Sequence, residues 1–209
     1  MHLDGLCFIT DRKICDLSCK EMVLQALKAG IRWVQYREKD LSRRSIYEES
    51  VELRRITRKF DALFIVNDHV DIASAVGADG VHLGQEDLPF KNARKILGKD
   101  KIIGISTHDL EQAKEAEAQG ADYIGFGPVF HTLTKDAGSP KGIEILTQIR
   151  KQVRIPIVAI GGINHENIRS VLGTRVDAVA VASAMLKGNI EQNARNFIHI
   201  LNSIREKCR

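Results

Sequence analysis

The chain has 209 residues, 44% of them hydrophobic, 28% charged and only 5% aromatic. A chain of this size can bury roughly 70% of its unfolded surface, and its composition excludes disordered, collagen-like and small disulfide-scaffold classes. Its 31 basic and 27 acidic side chains leave a formal charge of +4, a mild excess that suits an anionic small ligand and falls short of a nucleic-acid footprint.

Short β-rich runs alternate with longer amphipathic stretches from end to end. Nearly continuous apolar segments occupy residues 6–10, 33–37, 63–67, 80–83, 102–106, 123–127, 157–160 and 178–182. Such runs are expected of parallel strands covered on both faces. Between the second and third, Ile46, Leu53, Ile56 and Phe60 follow helical spacing, which predicts a helix over 44–60. Its cations Arg54, Arg55, Arg58 and Lys59 read as a solvated helix face, without the interleaved aromatics of a nucleic-acid surface. In 109–120, Asp109 is a helix N-cap, Leu110, Ala113 and Ala116 form an apolar face, and Gly120 is a stop.

The helix-to-strand junctions repeat. Gly77-Ala78-Asp79-Gly80-Val81 resembles Gly120-Ala121-Asp122-Tyr123-Ile124, with looser echoes at Ala29-Gly30-Ile31 and Arg175-Val176-Asp177-Ala178. Eight strand–helix units leave no Pro/Gly/Ser-rich linker. A doubly wound sheet would have fewer strands and a glycine-rich first turn, and none follows Thr10. The pattern predicts an α/β protein, one (β/α)8 TIM barrel spanning residues 1–209.

Residues 1–4 lack the basic and apolar regions of a signal peptide, and no apolar run approaches the ~20 residues needed to cross a bilayer. A soluble, cytoplasmic protein is expected. Cys7, Cys15, Cys19 and Cys208 are too few and scattered for a disulfide framework. Cys15 and Cys19 could share a helix face, but no second Cys/His pair at zinc spacing follows. Cys7 lies in an apolar run and reads as core.

A barrel's active site forms at the C-terminal ends of its strands. There the sequence places Gln35, Arg37, Glu38 and Lys39 after strand 2, Asn67-Asp68 after strand 3 and Gly84-Gln85-Glu86-Asp87 after strand 4. Ser106-Thr107-His108 follow strand 5, and Gly127-Pro128, Thr132, Thr134 and Lys135 follow strand 6. Gly161-Gly162 and Ala182-Ser183 end strands 7 and 8. Glycines without Cβ let backbone N–H groups approach an anion, and the loops after strands 7 and 8 commonly cradle phosphate. The three cations Arg37, Lys39 and Lys135 exceed the needs of one monophosphate and suggest a diphosphate. Bare carboxylates at Asp68 and Asp87 would repel such a ligand, and a divalent cation reverses that sign. Among the histidines, His69, His82 and His108 read as structural. His131 lies in a long, lid-like stretch over 130–142 that contains Gly138 and Pro140.

These segments resemble the thiamin phosphate synthase family. The matching motifs are Gln35-Tyr36-Arg37-Glu38-Lys39, Val66-Asn67-Asp68, and Ala78-Asp79-Gly80-Val81-His82-Leu83-Gly84-Gln85-Glu86-Asp87. Gly104-Ile105-Ser106, Gly125-Phe126-Gly127-Pro128-Val129-Phe130, Thr132-Leu133-Thr134-Lys135 and Ala159-Ile160-Gly161-Gly162-Ile163 complete the set. They span nearly the whole chain in order.

The resemblance implies a transferase that joins hydroxymethylpyrimidine diphosphate to a thiazole phosphate or its carboxylated form. Its products are thiamin phosphate and diphosphate, by dissociative loss of diphosphate. It implies Gln35, Arg37, Lys39, Asn67, Ser106 and Lys135 around the pyrimidine diphosphate, with Tyr36 and Glu38 among the substrate contacts. Arg37, Lys39, Ser106 and Lys135 are the expected catalytic groups. Thr132, Leu133, Thr134, Gly162, Ala182 and Ser183 are implied around the thiazole phosphate. Asp68 and Asp87 are implied to carry one Mg²⁺ per subunit.

Only small-molecule partners are expected, with no nucleic acid or membrane, and oligomeric state is left open. A related thiazole tautomerase carries a histidine where this chain has Pro128. His131 stands where many synthases carry proline, and Ala182 is smaller than the usual Val or Ile. The alternatives are such an isomerase or a non-catalytic barrel that binds thiamin precursors. A sugar-phosphate epimerase would explain Gly161-Gly162 and Ser183 but not the diphosphate-directed cations.

Overall fold

The computed structural model describes residues 3–132 and 139–207. The elements run β1 (Gly5–Ile9), α1 (Cys19–Lys28), β2 (Trp33–Tyr36), α2 (Arg43–Lys59), β3 (Leu63–Asn67) and α3 (Val70–Ala75). β4 (Gly80–Leu83), α4 (Phe90–Leu97), β5 (Ile102–Thr107), α5 (Leu110–Gln119), β6 (Tyr123–Phe126) and α6 (Gly142–Gln152) follow. The chain closes with β7 (Ile157–Ile160), α7 (Ile168–Gly173), β8 (Ala178–Val181), α8 (Ser183–Leu186) and α9 (Ile190–Lys207). All eight strands are parallel, each pairs with the next, and β8 returns to β1 with Gly5 opposite Ala178. The result is the (β/α)8 barrel that the apolar runs predict, and the strand limits agree to within a residue.

Strand alternation explains why those runs are apolar throughout. Cys7, Ile9, Trp33, Leu63, Ile65, Tyr123, Val158, Ala178 and Ala180 fill the barrel. Their neighbours Phe8, Val34, Phe64, Val66, Val179 and Val181 point outward and pack under the helices. Both faces are dry below the mouth, so both are mostly apolar there. Burial holds the Cys7 thiol far above its ordinary pKa.

The helices begin where capping residues allow. Ser18 and Glu21 form a reciprocal capping box at α1, Ser42 accepts from the Ser45 N–H at α2, and Asp109 accepts from the Gln112 N–H at α5. α5 ends at Gly120, whose φ of 91° is left-handed. Cys15 precedes α1 while Cys19 opens it, so the two share no helix face.

At the bottom of the barrel the Gly-Ala-Asp echo proves to be a clamp. The Asp79 backbone N–H donates to the Phe64 carbonyl, and the Phe64 N–H donates back to the Asp79 carboxylate. Asp122 does the same with Ile103, and Asp177 with Ile157. Each carboxylate is then gripped by an arginine from a helix: Arg54 of α2, Arg94 of α4 and Arg150 of α6. One aspartate thereby extends a strand ladder and ties it to the outer helix layer. This corrects the expectation for the α2 cations. Arg55, Arg58 and Lys59 are exposed as expected, but the Arg54 side chain is only 13% exposed and belongs to the clamp.

Candidate functional site at the mouth of the barrel

The C-terminal strand ends form a cleft with a cavity of about 100 Å³ lined by Arg37, Ser106, His108, Thr132, Gly162, Ala182 and Ser183, among others. A second cleft over the β1, β6, β7 and β8 loops shares Thr132, Gly162 and Ser183 with it and adds Lys13, His131 and Lys187.

On the β2 side, the Arg37 N–H donates to Thr10 Oγ1 at 3.0 Å, and the Thr10 hydroxyl donates to the Arg37 carbonyl. The Arg37 guanidinium lies 3.4 Å from Asp11, so the rim cation is fixed from β1 as well as β2. Lys39 extends over the rim and ion-pairs with Asp68. Asp68 sits in the left-handed region at φ 66°, and its N–H donates to the His82 carbonyl. Asp87 closes the β4 loop by accepting the Gly84 N–H at 2.6 Å. Its carboxyl also lies within hydrogen-bonding reach of Asp68. Burial first, and then Asp68 through its hydrogen bond and its charge, pushes the Asp87 carboxyl above its usual pKa. Two carboxylates facing each other beneath a lysine form a donor set of hard oxygens that suits Mg²⁺.

On the β5 side, the Gln85 side chain donates to the Ser106 carbonyl at 2.6 Å. His108 lines the cleft and donates from Nδ1 to the Gly127 carbonyl at 2.6 Å. Gln35 and Asn67 are buried on the inward faces of β2 and β3.

Two expected substrate contacts are engaged elsewhere. Tyr36 faces the helix layer, and its hydroxyl donates to Glu49 at 2.6 Å. Both Glu38 oxygens are taken, one by the N–H groups of Lys39 and Asp40, the other by Arg12 at 2.9 Å. Strand alternation sends Tyr36 outward when Gln35 points in. Glu38 shapes the loop that presents Lys39. Leu133, Thr134 and Lys135 lie outside the described residues, as do the rest of residues 133–138, Gly138 among them, and Cys208. His131 is described and exposed.

The Gly161-Gly162 pair has a steric reason. A Cβ on Gly161 would stand 2.6 Å from Pro128 Cα, and one on Gly162 2.4 Å from the His131 carbonyl oxygen. Both glycines have positive φ. They let the β6 loop lie directly against the β7 loop, with Phe130 donating to the Gly161 carbonyl. Asn167 holds the Gly162 carbonyl at 2.9 Å.

Away from the mouth, Cys19, Glu38 and Glu49 also cluster within 4.8 Å. A guanidinium already fills that space: Arg12 reaches Glu38 at 2.9 Å and Glu49 at 2.6 Å. Burial pushes the Cys19 thiol up to about 12, so it stays protonated where a metal would need thiolate. These residues do not fit a metal.

Sequence reasoning did not assign Thr10 and Asp11 to the mouth, although polar residues ending the first apolar run are the same signal used for the other strands.

A thiamine monophosphate synthase family model matches residues 6–185 of this chain. A thiamine-phosphate synthase of Clostridium novyi is 49% identical over 191 residues, covering 90% of this chain and 94% of the relative. One of Methanosarcina barkeri is 44% identical over 200 residues, covering 95% of this chain and 90% of the relative. A solved thiamine phosphate pyrophosphorylase from Pyrococcus furiosus superposes with a TM-score of 0.89 at 43% identity, covering 96% of each chain. The class is thus a transferase built on a (β/α)8 barrel. The chain belongs to the thiamine monophosphate synthase family, and its activity is the formation of thiamin phosphate.

Proposed function

We propose that this cytoplasmic enzyme condenses hydroxymethylpyrimidine diphosphate with a thiazole phosphate, carboxylated or not, releasing diphosphate, and that Mg²⁺ assists. The observation that carries this reading is the convergence of Lys39, Asp68 and Asp87 on the rim where Lys39 also lines a cleft with Arg37. Cations alone would suit any phosphate. A facing carboxylate pair within the cluster makes sense when a divalent cation joins it to a polyanionic ligand.

In this reading Gln35 and Asn67 orient the pyrimidine, Arg37, Lys39 and Lys135 neutralise the diphosphate as it departs, and Ser106 donates a hydrogen bond to it. Asp68 and Asp87 hold Mg²⁺, which when bound supplies Lewis-acid stabilisation of the leaving group's charge. Thr132, Leu133, Thr134, Gly162, Ala182 and Ser183 receive the thiazole phosphate so that its ring nitrogen faces the carbon losing diphosphate. Catalysis then rests on alignment and charge stabilisation. No residue needs to act as a strong base. Pro128 in place of a histidine after Gly127 argues against tautomerase chemistry.

No helix among the described residues is long and apolar enough to cross a membrane. The test is to incubate the enzyme with both substrates and Mg²⁺ and quantify products. Thiamin phosphate and diphosphate in equal amounts are expected. Absence of both, with thiazole phosphate still bound, would favour a non-catalytic precursor-binding barrel.

A further inference from the structure

Beneath Ser106 a chain of side chains crosses the barrel interior. The Gln35 side chain lies against the Tyr123 hydroxyl. That oxygen lies 2.9 Å from His82 Nδ1, and His82 Nε2 lies 2.9 Å from Ser106 Oγ. Gln35, Tyr123 and His82 are each less than 9% exposed, so the direction of these bonds is set by protein groups with little competition from water.

We infer that Tyr123 and His82 are positioning residues that fix the Ser106 hydroxyl as a hydrogen-bond donor into the cleft, selecting a pure acceptor such as an anionic phosphate oxygen.

The polarity follows from counting protons. A phenol has one, and because a phenol O–H is the stronger donor and a neutral imidazole nitrogen the stronger acceptor, that proton goes to His82 Nδ1. A neutral imidazole that accepts at Nδ1 carries its proton on Nε2. Nε2–H then donates to Ser106 Oγ, and the serine's own proton is left to point elsewhere. Ser106 lines the cleft. Without Tyr123, His82 can adopt the other tautomer, and Ser106 then turns its proton inward.

The backbone is built around this arrangement. A Cβ on Gly104 of β5 would stand 2.1 Å from Tyr123 Cζ, and one on Gly125 of β6 would stand 2.9 Å from His82 Cε1. Two neighbouring strands therefore give up side chains to seat the two rings, which stack with centroids 5.4 Å apart.

The inference rests on Ser106 touching substrate, and the test separates the two claims. Tyr123→Phe, Ser106→Ala and the double variant are compared by kcat and KM for thiamin phosphate formation, with thermal melting as a folding control. Each single variant should lose on the order of tenfold to a hundredfold in kcat. The double variant should fall no more than about twofold below Ser106→Ala, because both changes remove the same donor. In ¹⁵N-histidine NMR the wild-type His82 should show the Nε2–H tautomer, and Tyr123→Phe should populate Nδ1–H. His82→Gln, which keeps a donor amide, should retain more activity than His82→Leu.

Full multiplication of the two losses, or an Nδ1–H tautomer in the wild type, would overturn the relay. An impaired Ser106→Ala beside an unimpaired Tyr123→Phe would overturn the relay alone. An unimpaired Ser106→Ala would overturn the substrate contact as well. If Tyr123→Phe fails to fold, the wild-type tautomer still decides.

Discussion

Arg54 grips Asp79 with both terminal nitrogens, at 2.8 and 2.7 Å, across the bottom of the barrel. The same aspartate accepts the Phe64 N–H, so one carboxylate joins α2, β3 and β4. The pattern recurs with Arg94–Asp122 and Arg150–Asp177 at every second unit. At the opposite end of the strands lies the cleft. Stability and chemistry are thus placed at separate ends of the same barrel.

That separation gives the first prediction. Arg54→Met keeps most of the stem but leaves a mostly buried Asp79 carboxylate without its charged partner. It should cost about 2–4 kcal/mol, given the low exposure of both partners, read as a lower urea midpoint at unchanged slope. The kcat of the folded fraction should not change.

The Arg12–Glu38 pair ties stability to pH. Burial pushes the Glu38 carboxyl up, but the Asp40 N–H, Arg12 and the Lys39 N–H together outweigh it, and the net pKa is lowered. A lowered folded-state value means Glu38 stabilises above its unfolded pKa of about 4.3. That stabilisation fades as pH falls from there through the lower folded value. Glu38→Gln should therefore flatten the stability–pH curve over this acidic window and destabilise by about 1–3 kcal/mol at neutral pH, measured by urea titration at several pH values. It should also raise KM for the pyrimidine substrate, because the loop presenting Lys39 loses its anchor.

Gly162 sits at φ 65° with the His131 carbonyl where a Cβ would go. Gly162→Ala should strain that turn and push the β6 loop away, costing about 1–3 kcal/mol. KM for thiazole phosphate should rise well before KM for the pyrimidine diphosphate. Steady-state kinetics with each substrate varied in turn checks this. An equal rise in both would place the loop's influence elsewhere.

Much of the architecture was legible because physics forces it into the sequence. Strands buried on both faces cannot hide, and Asp109 and Gly120 punctuate α5 in full view. The aspartate echoes were visible too, but their arginine partners lie 25–28 positions away, and one of them, Arg54, sits inside a basic run that reads as solvent-facing. Rim residues such as Asp68 and Asp87 were accessible from strand ends alone. The side chains of Tyr36 and Glu38 could not be placed from the sequence because a contiguous motif conceals alternation: Gln35 points in and Tyr36 points out. The His82–Tyr123 contact spans 41 residues. Only the folded barrel, with glycines at 104 and 125 to admit the rings, reveals it.

The most direct test of the proposed chemistry is the initial rate of diphosphate release with Mg²⁺ and with chelator, in the wild type and in Asp68→Asn and Asp87→Asn. Release should require Mg²⁺ in the wild type, and each variant should fall by at least about a hundredfold at saturating substrate while melting near the wild-type temperature. Chelator-insensitive release, or full activity in both variants, would contradict the assignment of a metal-assisted diphosphate site to this rim.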